Sequence, residues 1–129
     1  MRTAGKVVAA IAGLFYLTFG IWAFGAPESF AANIANYGTY NEHLTHDLGA
    51  FQIGIGVGAL AGVLIADALA AALAGVAAAS VMHGVSHIVD EGTGGRASDP
   101  WTVSLAGLLV LLAFLVVARR KRASEGPGR

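Results

Sequence analysis

Apolar residues fall in four long runs separated by polar breaks: Val7 to Phe24, Leu48 to Ile65, Ala68 to His87 and Trp101 to Ala118. Each is close to the ~20 residues that cross ~30 Å of hydrocarbon at 1.5 Å per residue. The pattern predicts four transmembrane helices. The second and third runs are nearly continuous and are interrupted only around Asp67. A single helix of about forty residues would far overshoot a bilayer, so a tight helical hairpin is predicted with Asp67 at its tip. The first run also has the outline of a signal peptide, since Arg2 and Lys6 precede it and Ala23-Phe24-Gly25-Ala26-Pro27 ends it. Its apolar stretch exceeds the ~7–15 residues of a signal h-region and the cleavage motif is imperfect, which favours a retained helix.

Composition agrees with this pattern. The chain has 129 residues, of which 56% are hydrophobic and 12% charged, with a mean hydropathy of +0.67. Soluble domains carry about 25% charged residues, so the low value argues for a membrane protein of one compact unit. The absence of cysteine excludes disulfides, thiolate metal sites, iron–sulfur ligation and a cysteine nucleophile.

The formal charge of zero conceals an asymmetry. Arg2 and Lys6 precede the first helix, and Arg119, Arg120, Lys121 and Arg122 follow the fourth. The two loops on the opposite side hold Arg96 as their one basic residue, against Glu28, Glu42, Asp47, Asp90, Glu91 and Asp99. Basic residues concentrate on the cytoplasmic side of plasma-membrane proteins, so both termini are predicted to be cytoplasmic. Trp22 and Trp101 then fall at the outer interface, as amphipathic aromatics should. The expected fold is an all-α, antiparallel, membrane-spanning four-helix bundle over residues 1–118. A basic, disordered cytoplasmic tail over 119–129 is expected to follow it.

Small residues suggest how the helices pack. Gly54, Gly58 and Gly62 recur every four residues on the second helix, while Gly49 and Gly56 mark another face. Small residues at such spacing let helix backbones approach closely. Glycine on two faces predicts a central second helix, and the same motif can instead serve dimerisation. The third helix is rich in alanine, and the bulkier first and fourth are expected to face lipid.

The candidate chemistry lies at the outer face, where all four histidines cluster. His43 and His46 lie just before or within the first turn of the second helix, and His83 and His87 in the last turns of the third. If Asp67 is the hairpin tip, Asp47 and His87 lie at equal depth and should be neighbours, with His83 about 6 Å deeper and Gln52 level with it. Ser80, His83, His87, Asp90 and Glu91 follow the three-and-four spacing of one helix face. Ionisable groups in a membrane are costly unless they face the interior or water, which makes them functional candidates.

The plainest role for this cluster is structural, satisfying polar groups and fixing the hairpin register. Three others are open. His83, His87, His46 and Asp47 can bind a divalent metal. A histidine oriented by Asp47 can handle protons or a small polar ligand. Facing histidines can hold haem if their span allows it. No serine nucleophile elbow or phosphate-binding loop is present. The reading is therefore of a non-enzymatic or accessory protein, expected to form a homo-oligomer or join a larger membrane complex. No nucleic-acid partner is expected. A transporter or channel would need an oligomer, because four helices are too few for inverted repeats. Tyr37 and Tyr40, in the long outer loop, could roof the cluster.

Several motifs resemble those of small four-helix bacterial membrane proteins of the DoxX-like type. These are Pro27 after the first helix, the entry Asn41-Glu42-His43-Leu44-Thr45-His46-Asp47 into Gly-rich Leu48-Gly49-Ala50-Phe51, and the His83 to His87 helix end. Alanine and glycine usage resembles that of a high-GC actinobacterium. The resemblance covers most of the chain and implies fold and location more than activity.

Overall fold

The computed structural model describes residues 2–65 and 67–125. Every regular element among them is a helix: α1 (Arg2–Gly25), α2 (Pro27–Asn33), α3 (Glu42–Leu64), α4 (Leu69–Val89) and α5 (Asp99–Glu125). α1, α3, α4 and the Asp99–Ala123 part of α5 are long and apolar enough to cross a membrane. This is the architecture of a multi-pass membrane protein. The short α2 was not anticipated. Pro27 opens it at a position where no N–H is needed, and Phe30 anchors it, fully buried against Phe19 and Trp22.

The spanning helices outrun their apolar runs because polar residues cap them. The Asn41 side chain accepts from the Leu44 N–H at 3.0 Å, which starts α3 at Glu42 and puts His43, His46 and Asp47 inside the helix. At the start of α5, Asp99 Oδ2 accepts from the Arg96 N–H at 2.8 Å. The far end of α5 corrects an expectation. Residues 119–125, read as disordered tail, continue the helix. Arginine, lysine and alanine are strong helix formers, and cations near a helix C-terminus oppose its dipole favourably. Gly126 to Arg129 lie outside the described residues.

Packing divides the bundle into two intimate antiparallel pairs, α1 with α3 and α4 with α5. The first pair is a glycine interface. A Cβ on Gly20 would sit 2.7 Å from Ile53 N and 2.9 Å from Gly49 O, and one on Gly49 would sit 2.7 Å from Phe24 N. A turn pair deeper, Gly13 and Gly56 meet in the same way, with a Gly56 Cβ only 2.8 Å from Gly13 O. Gly13 and Gly20 are seven apart, as are Gly49 and Gly56, which is the repeat of a left-handed coiled-coil seam. Backbones approach this closely only where no side chain intervenes.

Gly54 and Gly58 behave differently, for a Cβ on either meets nothing within 4 Å. Of the stripe expected to pack every four residues, only Gly62 is engaged, against Ala72. A polar bond ties the pairs together at the core, where Tyr16 Oη of α1 and Ser80 Oγ of α4 lie 2.8 Å apart.

The α3–α4 hairpin turns at Asp67, which has a positive φ of 62° and lies 3.5 Å from Arg2. At the opposite end of the bundle, the loops over 34–41 and 90–98 lock onto each other. Gly95 N–H donates to Asn36 O at 3.0 Å, Arg96 Nη2 donates to Asn33 O at 3.0 Å, and Tyr37 forms a bridge with Gly94. This loop end of the bundle carries all four histidines.

Candidate functional site

His83 and His87 are four residues apart in the last turns of α4, so their rings lie one above the other. Both flank the buried face marked by Ser80 and Gly84; His87 is half-buried and His83 exposed. Their Nε2 atoms are 3.1 Å apart. The other nitrogen of His87 is also held, because Tyr37 Oη lies 2.8 Å from Nδ1. A line of polar atoms therefore runs from the loop into the membrane segment: Tyr37 Oη, His87 Nδ1, His87 Nε2, His83 Nε2.

Tyr37 reaches His87 because two glycines let the neighbouring loop pass over it. Gly94 and Gly95 both have positive φ, 143° and 75°. A Cβ on Gly95 would collide with the Tyr37 hydroxyl and stand 3.1 Å from Asp99 Oδ2. The phenol is thus gripped between the loop backbone and His87. Burial pushes its pKa above the ordinary value, and the nearby carboxylates of Asp99 and Asp90 push it the same way. Tyr37 therefore remains a neutral phenol that can donate or accept.

Two proton arrangements satisfy this line equally. In one, Tyr37 O–H donates to His87 Nδ1, and His87 Nε2–H donates to His83 Nε2. In the other, His83 Nε2–H donates to His87 Nε2, and His87 Nδ1–H donates to Tyr37 Oη. Neither requires a heavy atom to move. Beside the line opens a cleft of about 420 Å³, whose lining includes Tyr37, His87, Asp90, Glu91, Arg96 and Pro100. Two acids to one base make its mouth net acidic, and Asp99 lies close behind Tyr37.

The remaining candidates lie elsewhere. Asp47, expected beside His87, does not join the His83–His87 pair; it pairs with His43 along α3, with Nε2 and Oδ2 3.6 Å apart and both well exposed. The His46 ring lies against Phe24, with centroids 5.1 Å apart. Among the described residues, no three His, Asp or Glu side chains are grouped to hold a metal ion, so His83, His87, His46 and Asp47 do not form one set. Ser80 is committed to Tyr16. Gln52 is buried in α3, near Gly20 of α1, and its Oε1 is without a hydrogen-bond partner. Asp90 caps the C-terminus of α4, and with Glu91 it lines the cleft.

Sequence reasoning named Tyr37 only as a possible roof, and it did not single out Asp99 as a neighbour. The Gly94-Gly95 pair was the available signal, since adjacent glycines permit close backbone approach. Comparisons with protein-family models, with curated proteins and with solved structures found no match.

Proposed function

We propose that this chain is a plasma-membrane protein with both termini cytoplasmic, acting as an accessory subunit whose outer polar site takes up a proton. The observation that carries the reading is the continuous line from Tyr37 through His87 to His83, which begins at an acidic cleft and ends inside a spanning helix. Histidine is the side chain that ordinarily exchanges protons near neutral pH. Two imidazolium N–H groups cannot face each other at 3.1 Å, so the pair holds one added proton, shared as N–H⁺···N. The charged and titratable groups facing it are Tyr37 from the loop over 34–41, Asp90 and Glu91 after α4, Arg96 from the loop over 90–98, and Asp99 at the start of α5.

Orientation rests on the basic residues flanking α1 and α5 and on the acidic loops. Association with a second copy has a suitable surface. Gly54 and Gly58 of α3 and Gly75 of α4, none with a neighbour against its Cβ position, line one shallow groove beside the 74% exposed Phe51. Membrane helices associate through such small-residue faces. The resemblance of several motifs to those of the DoxX-like group suits the proposed membrane location.

The test is a pH titration of histidine ¹⁵N resonances in metal-free protein in nanodiscs. One proton entering the His83–His87 pair, with both rings shifting together, is expected. Independent titration of the two rings, unchanged by Tyr37→Phe, would sink the proposal.

A further inference from the structure

The geometry points to a second occupant of this position: a divalent transition-metal ion of the zinc class, chelated by Nε2 of His83 and Nε2 of His87. This deepens the proton reading, because metal and proton would compete for the same two nitrogen lone pairs. The spacing is the first reason. Zinc–nitrogen bonds are about 2.0–2.1 Å, so two nitrogens 3.1 Å apart subtend an angle of roughly 100° at a shared ion. That lies between square-planar and tetrahedral values. Each Nε2 lone pair must then point about 40° away from the Nε2–Nε2 line, which rotation of the rings about their side-chain torsions can supply.

Tyr37 is the second reason. A metal-binding imidazole normally has its other nitrogen held by a hydrogen-bond partner, which sets the tautomer and orients the ring. Tyr37 Oη already stands 2.8 Å from His87 Nδ1. On metal binding, the neutral His87 carries its proton on Nδ1 and donates it to Tyr37, leaving Nε2 bare for the ion. One of the two proton arrangements of the metal-free site already holds His87 in this tautomer, and in it the His83 proton must move from Nε2 to Nδ1 before both nitrogens can bind. His83 needs only Nε2 free, with its proton on Nδ1. No net proton is lost from the neutral pair, whereas the singly protonated pair must release one.

The third reason is access. His87 borders the cleft that carries Asp90 and Glu91, whose charge attracts cations. The protein supplies two ligands, because no third His, Asp or Glu joins them among the described residues. Water, or a histidine of a second copy, would complete the coordination. Imidazole nitrogen suits Zn²⁺, Cu²⁺ and Ni²⁺, which sets the metal class.

The experiment uses tag-free, full-length protein in nanodiscs, titrated with Zn²⁺ at pH 7.5 by calorimetry, with ¹⁵N spectra of the histidines recorded alongside. Saturation at one ion per chain, or one per two chains, is expected, with the His87 Nδ1–H tautomer appearing on binding. His83→Ala and His87→Ala should each weaken binding at least about tenfold, and Tyr37→Phe by about tenfold to a hundredfold with both ligands intact. His43→Ala and His46→Ala should leave it unchanged. Helicity and elution volume verify folding, and His87→Gln replaces His87→Ala if the latter fails to fold. No uptake by folded wild type, uptake that survives His83→Ala, or uptake removed by His43→Ala would overturn the metal site. The metal-free pH titration decides the proton reading separately, so either can fail alone.

Discussion

Tyr37 joins the two loops to the helices through its hydroxyl. Tyr37→Phe removes one hydrogen bond and leaves His87 Nδ1 unpartnered, at a cost of about 0.5–1.5 kcal/mol. Thermal unfolding in detergent should register this, and proteolysis should cut faster within 34–41. Gly95→Ala should act on the same contact from outside, since its φ of 75° strains any side chain and its Cβ would displace the phenol. Its ¹⁵N histidine spectrum should resemble that of Tyr37→Phe; a wild-type spectrum would separate the loop from the histidines. The alkaline limb has a definite sign. The folded pKa of Tyr37 lies above the ordinary tyrosine value, so the folded state holds its proton longer than the unfolded chain does. The stabilisation is fully present below about pH 10 and is lost as pH rises through the folded value. Ultraviolet titration of tyrosinate, compared with Tyr37→Phe, should show one late-ionising group. An ordinary titration of Tyr37 would refute the grip described for it.

At the scale of helices, the glycines of α3 separate into two kinds. Gly49 and Gly56 touch the backbone of α1, so Gly49→Val or Gly56→Val must force the pair apart, costing about 1–3 kcal/mol or more. Gly54→Ala and Gly58→Ala meet open space and should leave the folded monomer intact, even gaining up to about 1 kcal/mol in helix propensity. Unfolding in denaturing detergent ranks the four variants, and equal losses for both sets would contradict the packing. Gly58→Leu should in addition reduce chemical cross-linking between copies. The hairpin offers a parallel contrast. Asp67 adopts φ 62°, a conformation that β-branched residues resist, so Asp67→Val should destabilise. Asp67→Gly relieves strain but gives up an exposed contact with Arg2, worth about 0–1 kcal/mol, and should be near neutral.

For the whole molecule, the absence of cysteine makes topology measurable with single introduced thiols. With the loop end outward, Thr39→Cys should react with an impermeant maleimide on intact cells, and Ala123→Cys only after permeabilisation. The opposite pattern would invert the proposed orientation and put the acidic cleft in the cytoplasm. The number of spanning helices and the hairpin at Asp67 were legible from the chain because crossing a membrane depends on the length of a local apolar run. The charge asymmetry was legible for the same reason, being a property of short segments. The start of α3 was not legible in the same way: its apolar run begins at Leu48, whereas the Asn41 cap starts the helix at Glu42. What tertiary structure alone decided is which glycine face meets a helix and which histidine meets which partner. Lipid is as apolar as leucine, so no hydropathy contrast distinguishes the Gly49–Gly56 face from the Gly54–Gly58 face. The depth argument rightly carried all four histidines to one end of the bundle, but it gave no azimuth. The rotation of α3 against α1 sends His46 to Phe24, while the Gly94-Gly95 loop presses Tyr37 onto His87. Depth in a membrane follows from counting residues, whereas contact depends on how close two backbones can come.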